Sequence, residues 1–487
     1  MITINDRILF LNLDYGEKSV SVKDTMAGLG EVYSHKFKMP ILDFIVSATV
    51  LKEADYNVKV VDNELDKVEH KELIKKIIQE NYNFIFLRTS VPTIDKDLFF
   101  ADLLKKSNKK IKICLFANFL DKFIGVLSKH NIDFFISGEV EFAFLDIKNK
   151  LSKENIKGIG FKNNSKFVYT GMREFSHNLD NLPLPDWSLV PYKKYSFLTC
   201  LASRGCPYNC GYCPYPVYQG SVWRTRSVEN IIEELRKLLF VFKVDFVRFR
   251  DPEFTINRQR TVDICNQLIN NKINITWQCE TRLDLLDSEL LDIMKKAGCN
   301  RICFGVETIN EETAKLVNRK RIGKKQIDII LNHCEKIGIK TSGFYIIGLP
   351  CETIESTIDL INFSLSLNTS FNEFTIATPY VGTPLAKWAE DKKLITNQFD
   401  PSLYSGREVA MTNGILTENQ LKVLHKFANI SNKQKTRRKD IIEIIKTISK
   451  KPIFIVELFK KQTAKIFLFY FLDTFKVFLL KIKIILL

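Results

Sequence analysis

Several things are scarce in this chain. Its 487 residues hold 11 cysteines, too few and too scattered for a small disulfide-stapled secreted scaffold. The opening stretch, Met1 to Phe10, has no basic region ahead of a long apolar run. No signal peptide is therefore expected, and a reducing, cytoplasmic setting is the default. There is no short repeat and no low-complexity tract. A run of about 20 apolar residues, the minimum for a membrane-spanning helix, is also missing. The best window, Ile466–Leu487, contains Asp473 and three lysines, and each charge near a helix centre costs about 2.5–3.5 kcal/mol. Surplus charge is scarce over most of the length. Of the formal +16, a net +10 lies between Ser431 and Leu487, leaving +6 on the other 430 residues. No nucleic-acid partner is expected from so even a balance.

What is present is ordinary globular protein, 45% hydrophobic and 26% charged, long enough for two to four domains. Residues 1–150 alternate apolar runs (Ile8–Leu13, Val58–Asp62, Phe84–Thr89, Ile111–Phe116, Phe134–Gly138) with helical patterns such as His70–Glu80 and Asp97–Lys106. This predicts a doubly wound, flavodoxin-like parallel sheet that binds ligands beyond the carboxyl ends of its strands. Residues 151–195 read as a connector, with a hairpin around Asn163–Ser165 and a proline-punctuated stretch at Leu182–Trp187. Over 196–405 six strand-then-helix units follow. The strands are Phe197–Ser203, Asp245–Arg250, Ile275–Glu280, Arg301–Glu307, Thr341–Gly348 and Glu373–Thr378, and together they predict a (β/α)6 partial barrel with its function at the strand ends. Residues 406–487 form a helical extension with a basic, apolar tail.

Directly after the first strand of the second domain comes Arg204-Gly-Cys206-Pro-Tyr-Asn-Cys210-Gly-Tyr-Cys213. Three thiolates on one loop can hold three irons of a 4Fe–4S cluster and leave the fourth open. A structural zinc site is the other reading; it wants four ligands, and Cys200 is the only nearby fourth.

The loop, with aromatic Tyr212 before its last cysteine, resembles the cluster loop of the radical S-adenosylmethionine (SAM) superfamily. The segments Phe249–Asn257, Cys279–Asp284, Phe304–Thr308, Ile347–Thr353 and Ala377–Thr383 extend the likeness to the subgroup with an N-terminal cobalamin-binding domain, over roughly residues 1–430. The resemblance implies a cluster on Cys206, Cys210 and Cys213, with SAM chelating the open iron through its amine and carboxylate. Glu253 and Asp251 are the carboxylates offered to the amine. Arg282 can fork onto the carboxylate, and Glu307 can accept from the ribose. The turns Gly348-Leu-Pro350 and Pro379–Pro384 close the fifth and sixth strands, and Cys351 sits where a substrate can approach.

For cobalamin the resemblance implies contacts at Thr89, Ser90 and Thr93, at Ala117 and Asn118, and at Gly138 and Glu139. The Asp-x-His-x-x-Gly motif that supplies a cobalt ligand is absent; His35 has no glycine at that spacing. Phe116-Ala-Asn-Phe119 stands where the family usually has Gly-Gly. The expected activity is cobalamin-dependent methylation of an unactivated carbon on a small or lipid-like substrate, with an electron donor such as flavodoxin or ferredoxin. Radical ring closure is the alternative. A tRNA methylthiotransferase would need further cysteines in residues 1–150, where only Cys114 occurs. The tail is read either as an interfacial helix giving peripheral membrane contact, its lysines snorkelling, or as a cap on the barrel.

Overall fold

The structure is a computed structural model that describes residues 2–16, 19–33, 37–163, 166–396, 400–450, 472–477 and 479–480. His35, and with it the question of a cobalt ligand there, lies outside the described residues.

Strands in chain order are β1 (Arg7–Asn12), β2 (Val20–Val22), β3 (Glu31–Tyr33), β4 (Asn57–Asp62), β5 (Phe84–Arg88), β6 (Lys112–Phe116), β7 (Phe134–Ile136), β8 (Ile159–Asn163) and β9 (Lys166–Tyr169). The first sheet runs β4-β1-β5-β6-β7-β8-β9. Its five parallel strands, β1, β4, β5, β6 and β7, thus take the order 2-1-3-4-5 of a flavodoxin-like sheet. The buried phenylalanines Phe10, Phe44, Phe86, Phe116 and Phe144 interlock on one face. The hairpin expected in the connector forms as β8–β9, but it extends this sheet antiparallel beyond β7 rather than standing apart. The reason lies in its inward residues: Ile159 and Phe161 are apolar enough to be buried against the sheet's core.

The second half contributes β10 (Leu198–Cys200), β11 (Ser203–Arg204), β12 (Arg224–Thr225), β13 (Phe246–Phe249), β14 (Thr276–Glu280), β15 (Cys299–Glu307), β16 (Lys340–Ile347) and β17 (Phe371–Ile376). Six of these, β10-β13-β14-β15-β16-β17, pair parallel in chain order, the open-barrel arrangement that the alternation of strand and helix predicts. The crossover helices carry the expected signals: Ser227, Asn257, Asp287 and Thr353 each cap a first turn with a side-chain oxygen.

The hairpin β2–β3 went unread in the sequence, and it sits between the two halves. Val91 N–H donates to Leu29 O at 2.8 Å. Lys23 is fully buried, with Nζ 2.8 Å from Arg88 O and 3.1 Å from Asp97 Oδ2. On the other side Tyr33 stacks 4.6 Å under the Arg407 guanidinium.

The helix Glu418–Lys450 covers the outer edge of β17. Asn429 accepts from Phe374 N–H and donates to Phe374 O, both at 3.2 Å, so the edge strand's free backbone groups are satisfied by side chains. Residues 472–480, where described, fold back on this helix: Gln434 donates to Thr474 at 2.8 Å, Arg437 pairs with Asp473, and Leu480 is buried. Leu472, Phe475 and Leu479 stay exposed on one helical stripe. Among the described residues no helix is long and apolar enough to cross a membrane. The apolar segments Pro452–Phe459 and Ile466–Phe471 lie outside the described residues.

Candidate active site

The cysteine loop is held from both sides by backbone. Gly205 has φ +80°, and a Cβ there would run into the carbonyl of Val222. Cys206 N–H donates to Gly220 O at 3.0 Å, Gly211 N–H to Val317 O at 2.7 Å, and Leu385 N–H to Gly211 O at 2.9 Å. The Asn318 side chain donates to Asn209 O at 3.1 Å. A loop fixed at four points keeps Cys206, Cys210 and Cys213 within electrostatic reach of one another. Tyr212 is buried among Val317, Leu349 and Leu385 and wedges the loop against the sixth strand's helix.

The donor set suits a cluster. Burial pushes the Cys206 thiol up to about 12 and raises Cys213 as well, with the neighbouring cysteine sulfurs adding to it. Deprotonating thiols crowded in this way calls for a cationic centre, and irons would supply one. Among the described residues no three His, Cys, Asp or Glu side chains converge on one ion; cluster thiolates grip separate irons and need no common point. Cys200, the fourth ligand of the zinc reading, is turned away, its sulfur 3.9 Å from Arg226 Nη1.

Around the loop stand Glu253, Glu307, Arg282 and Arg319. Burial lifts Glu253 to about 8 and Glu307 to about 7, against the pull of nearby Arg319. Glu307 ends β15 at φ +67° and folds its carboxylate back over Gly305, where a side chain would collide with it. Arg282 is 1% exposed and stacks 4.4 Å over the Tyr208 ring. Its fork, expected to be free, is filled by Asp284 at 2.9 and 3.0 Å. Arg319, which the sequence reading missed, is the cation that faces the cysteines: Nη1 is 4.0 Å from Cys210 Sγ, Nη2 bonds Gly305 O, and Nε has no partner. It sits in the run Asn318-Arg-Lys-Arg321, which reads as a solvated charge cluster. Its burial comes only from the fold.

Asp251 is fully buried and braces the loop, accepting from Ala202 N–H at 2.9 Å and from the Ser203 hydroxyl. Cys351, partly buried, lies beside Glu312.

A narrow pocket of about 60 Å³, open to solvent, lies between the halves. Of the seven positions read as cobalamin contacts, Asn118, Gly138 and Glu139 line it. Thr89, Ser90, Thr93 and Ala117 do not. They are sealed in the first domain, where Gly30 presses on Ser90 and Thr93 bonds Asp97 at 2.7 Å. The cause is the β2–β3 hairpin laid over the ends of β5 and β6. Asn118 itself bonds Ala27 O. Glu139 is ion-paired to Arg224 at 2.9 Å and Arg204 at 3.2 Å, and Glu141 to Arg204 at 2.6 Å. Arg204 is two residues before Cys206, so this buried network ties the first domain's strand end to the cysteine loop.

Comparison with known proteins agrees with this geometry. Residues 201–364 match the radical SAM superfamily. The chain carries a radical SAM domain. Beyond that domain, the chain is 28% identical over 418 residues to an uncharacterized methyltransferase of Pyrococcus horikoshii, covering 83% of this chain and 90% of that one. It is 24% identical over 397 residues to the anaerobic magnesium-protoporphyrin IX monomethyl ester cyclase of Cereibacter sphaeroides, covering 76% of this chain but 63% of the cyclase. Among solved structures it resembles the cobalamin-dependent SAM radical enzyme OxsB with aqua-cobalamin and SAM bound. There the TM-score is 0.69 at 16% identity, over 96% of this chain and 72% of that one. At that identity the likeness is one of fold: both the radical SAM domain and the sheet before it have counterparts.

Proposed function

We propose that this chain is a radical SAM enzyme that methylates an unactivated carbon of a small molecule with the help of cobalamin. The observation that carries the reading is the mouth of the barrel. Cys206, Cys210 and Cys213 stand there with buried Glu253 and Arg319 and half-buried Glu307, next to a cavity shared with a flavodoxin-like domain. The full-length likeness to a methyltransferase supports methyl transfer. The cyclase likeness supports ring closure as the second reading.

In this reading the three cysteines hold a 4Fe–4S cluster. When bound, cluster and SAM supply a 5′-deoxyadenosyl radical, and cobalamin supplies the methyl group. The chain's own part is to bind and orient. Glu253 accepts from the SAM amine. Arg319 forks onto its carboxylate, and Arg282, held by Asp284 and Tyr208, adds positive potential behind it. Glu307 accepts from the ribose. Burial keeps water from the mouth, so each of these contacts acts in a low dielectric. Asn118 and Gly138 would line the cobalamin side of the cavity. An external flavodoxin or ferredoxin delivers the electron. The stripe Leu472, Phe475 and Leu479, with the lysines around it, gives peripheral membrane contact and fits a lipid-like substrate. The test is to reconstitute the cluster anaerobically, add SAM and a reductant, and measure 5′-deoxyadenosine. Its absence from a fully loaded protein would remove the proposal.

A further inference from the structure

Once the ion pairs of the cavity are assigned, one guanidinium is left over. Side chains alternate along strands. On β13 to β15, Val247, Phe249, Trp277, Cys279, Ile302 and Phe304 face the helices. The other set, Arg248, Arg250, Gln278, Glu280, Arg301 and Cys303, therefore faces the barrel interior. Register places Arg248, Gln278 and Arg301 in one layer, with Glu280 and Cys303 in the next one up. Two of the three guanidiniums on this wall, Arg248 and Arg250, share the Glu280 carboxylate.

Arg248 takes that carboxylate, with Nη2 2.6 Å from Glu280 Oε1. Arg301 donates to the Ser342 hydroxyl at 2.8 Å. Arg250 is left with the same Glu280 oxygen at 3.4 Å and the Asp24 carbonyl at 3.4 Å. Its side chain is only 6% exposed, its Nε has no partner, and it lines the cavity between the domains. The acids around the same cavity are already matched: Asp43 by Arg88, and Glu139 and Glu141 by Arg204 and Arg224. Asp24, its carboxyl raised by burial and by Asp43 beside it, also lies within electrostatic reach of Arg250. Glu280, Tyr215 and Asp24 hold the guanidinium charged, but its contacts to Glu280 and to the Asp24 carbonyl are both long, so its fork can still take an anion.

We propose that Arg250, backed by Arg248 and Arg301, anchors an oxyanion, a carboxylate or phosphate group, of the molecule that occupies this cavity. The inference rests on the reading of the cavity as the reaction chamber. The oxyanion belongs either to the substrate or to the phosphodiester of the corrinoid.

The test uses the full chain with its cluster reconstituted and inorganic phosphate as the probe, at ionic strength held constant with chloride. Calorimetry should show saturable binding to the wild type, at least about tenfold weaker in Arg250→Gln and intermediate in Arg250→Lys. Binding in Arg258→Gln, which removes an exposed arginine, should match the wild type. Circular dichroism verifies that each variant is folded, and the lysine variant stands in if the glutamine variant is not. No phosphate binding by the wild type, or equal binding by Arg250→Gln, overturns the proposal. Hydroxocobalamin and cobinamide, which lacks the phosphate-bearing nucleotide, then separate the sources. Weakening of cobalamin alone assigns the cofactor phosphate. No change in either, with phosphate binding lost, assigns a substrate anion. Equal weakening of both means that Arg250 only supports the fold, and overturns the proposal. Phosphate binding needs no SAM cleavage, so absent 5′-deoxyadenosine would count against the proposed reaction alone.

Discussion

Replacing Glu253 by glutamine should stabilise the ligand-free chain in mild alkali and weaken SAM binding at the same time. Glu253 is 8% exposed, and burial lifts it from the ordinary 4.5 to about 8. A folded-state value above the unfolded one means stability that is complete below about pH 4.5 and lost as pH rises through about 8. At about 1.4 kcal/mol per pKa unit, the loss has a ceiling of roughly 4 to 5 kcal/mol. Glutamine keeps the shape and cannot ionise. Denaturant midpoints of the ligand-free wild type should therefore fall between pH 5.5 and 8.5 more steeply than those of Glu253→Gln, and the variant should be the more stable at pH 8.5. A SAM amine donating to the carboxylate reverses the balance by favouring the ionised form. SAM uptake at pH 7 should then release a proton from Glu253, measurable by calorimetry in buffers of different ionisation enthalpy. That release should vanish in Glu253→Gln, with affinity down about 10- to 150-fold for the lost charge-assisted bond. Identical pH profiles for the two proteins, or equal proton release, would refute the reasoning.

Three further outcomes follow from the geometry. Arg319→Ala should weaken SAM binding about 10- to 150-fold and more than Arg282→Ala does, because Asp284 already occupies the Arg282 fork; the reverse order in calorimetry would return the carboxylate to Arg282. Cobalamin added to the apoprotein should stay with it through gel filtration, and His35→Ala should leave its absorbance unchanged; failure to retain any would make this a plain radical SAM enzyme. The full chain should float with anionic liposomes at low salt and less at high salt, whereas a chain ending near Asn429 should not; equal flotation of both, or of neither, would leave the tail as a cap and remove the support for a lipid substrate.

Strands were the most legible part of the chain, because buried parallel strands are near-continuous apolar runs. The predicted Ile275–Glu280 and the observed Thr276–Glu280 differ by one residue. The cysteine loop was legible because its spacing is local. What escaped was decided by tertiary contact. Thr89, Ser90 and Thr93 sit at a strand end, where a ligand is expected, but the chain's own β2–β3 hairpin takes that place. Short strands of three residues leave no periodic signal. Arg319 lies two turns beyond its strand in a basic run, and only the packing of Tyr212 and Val317 shows that it is buried. Asp251 and Glu253 are two residues apart with the same chemistry. That Asp251 is the one that braces the loop depends on Ser203 and Ala202, nearly 50 residues away in the chain.

The central claim is that Cys206, Cys210 and Cys213 hold a cluster that cleaves SAM. Anaerobic reconstitution of the wild type and of Cys210→Ala, followed by iron analysis, an absorbance spectrum and a 5′-deoxyadenosine assay, tests it directly. The wild type should take up four irons per chain, the complement of a 4Fe–4S cluster, with broad thiolate-to-iron absorbance, and should form 5′-deoxyadenosine. Cys210→Ala should lose the absorbance and the product together. A full iron complement and undiminished 5′-deoxyadenosine in Cys210→Ala would contradict the account.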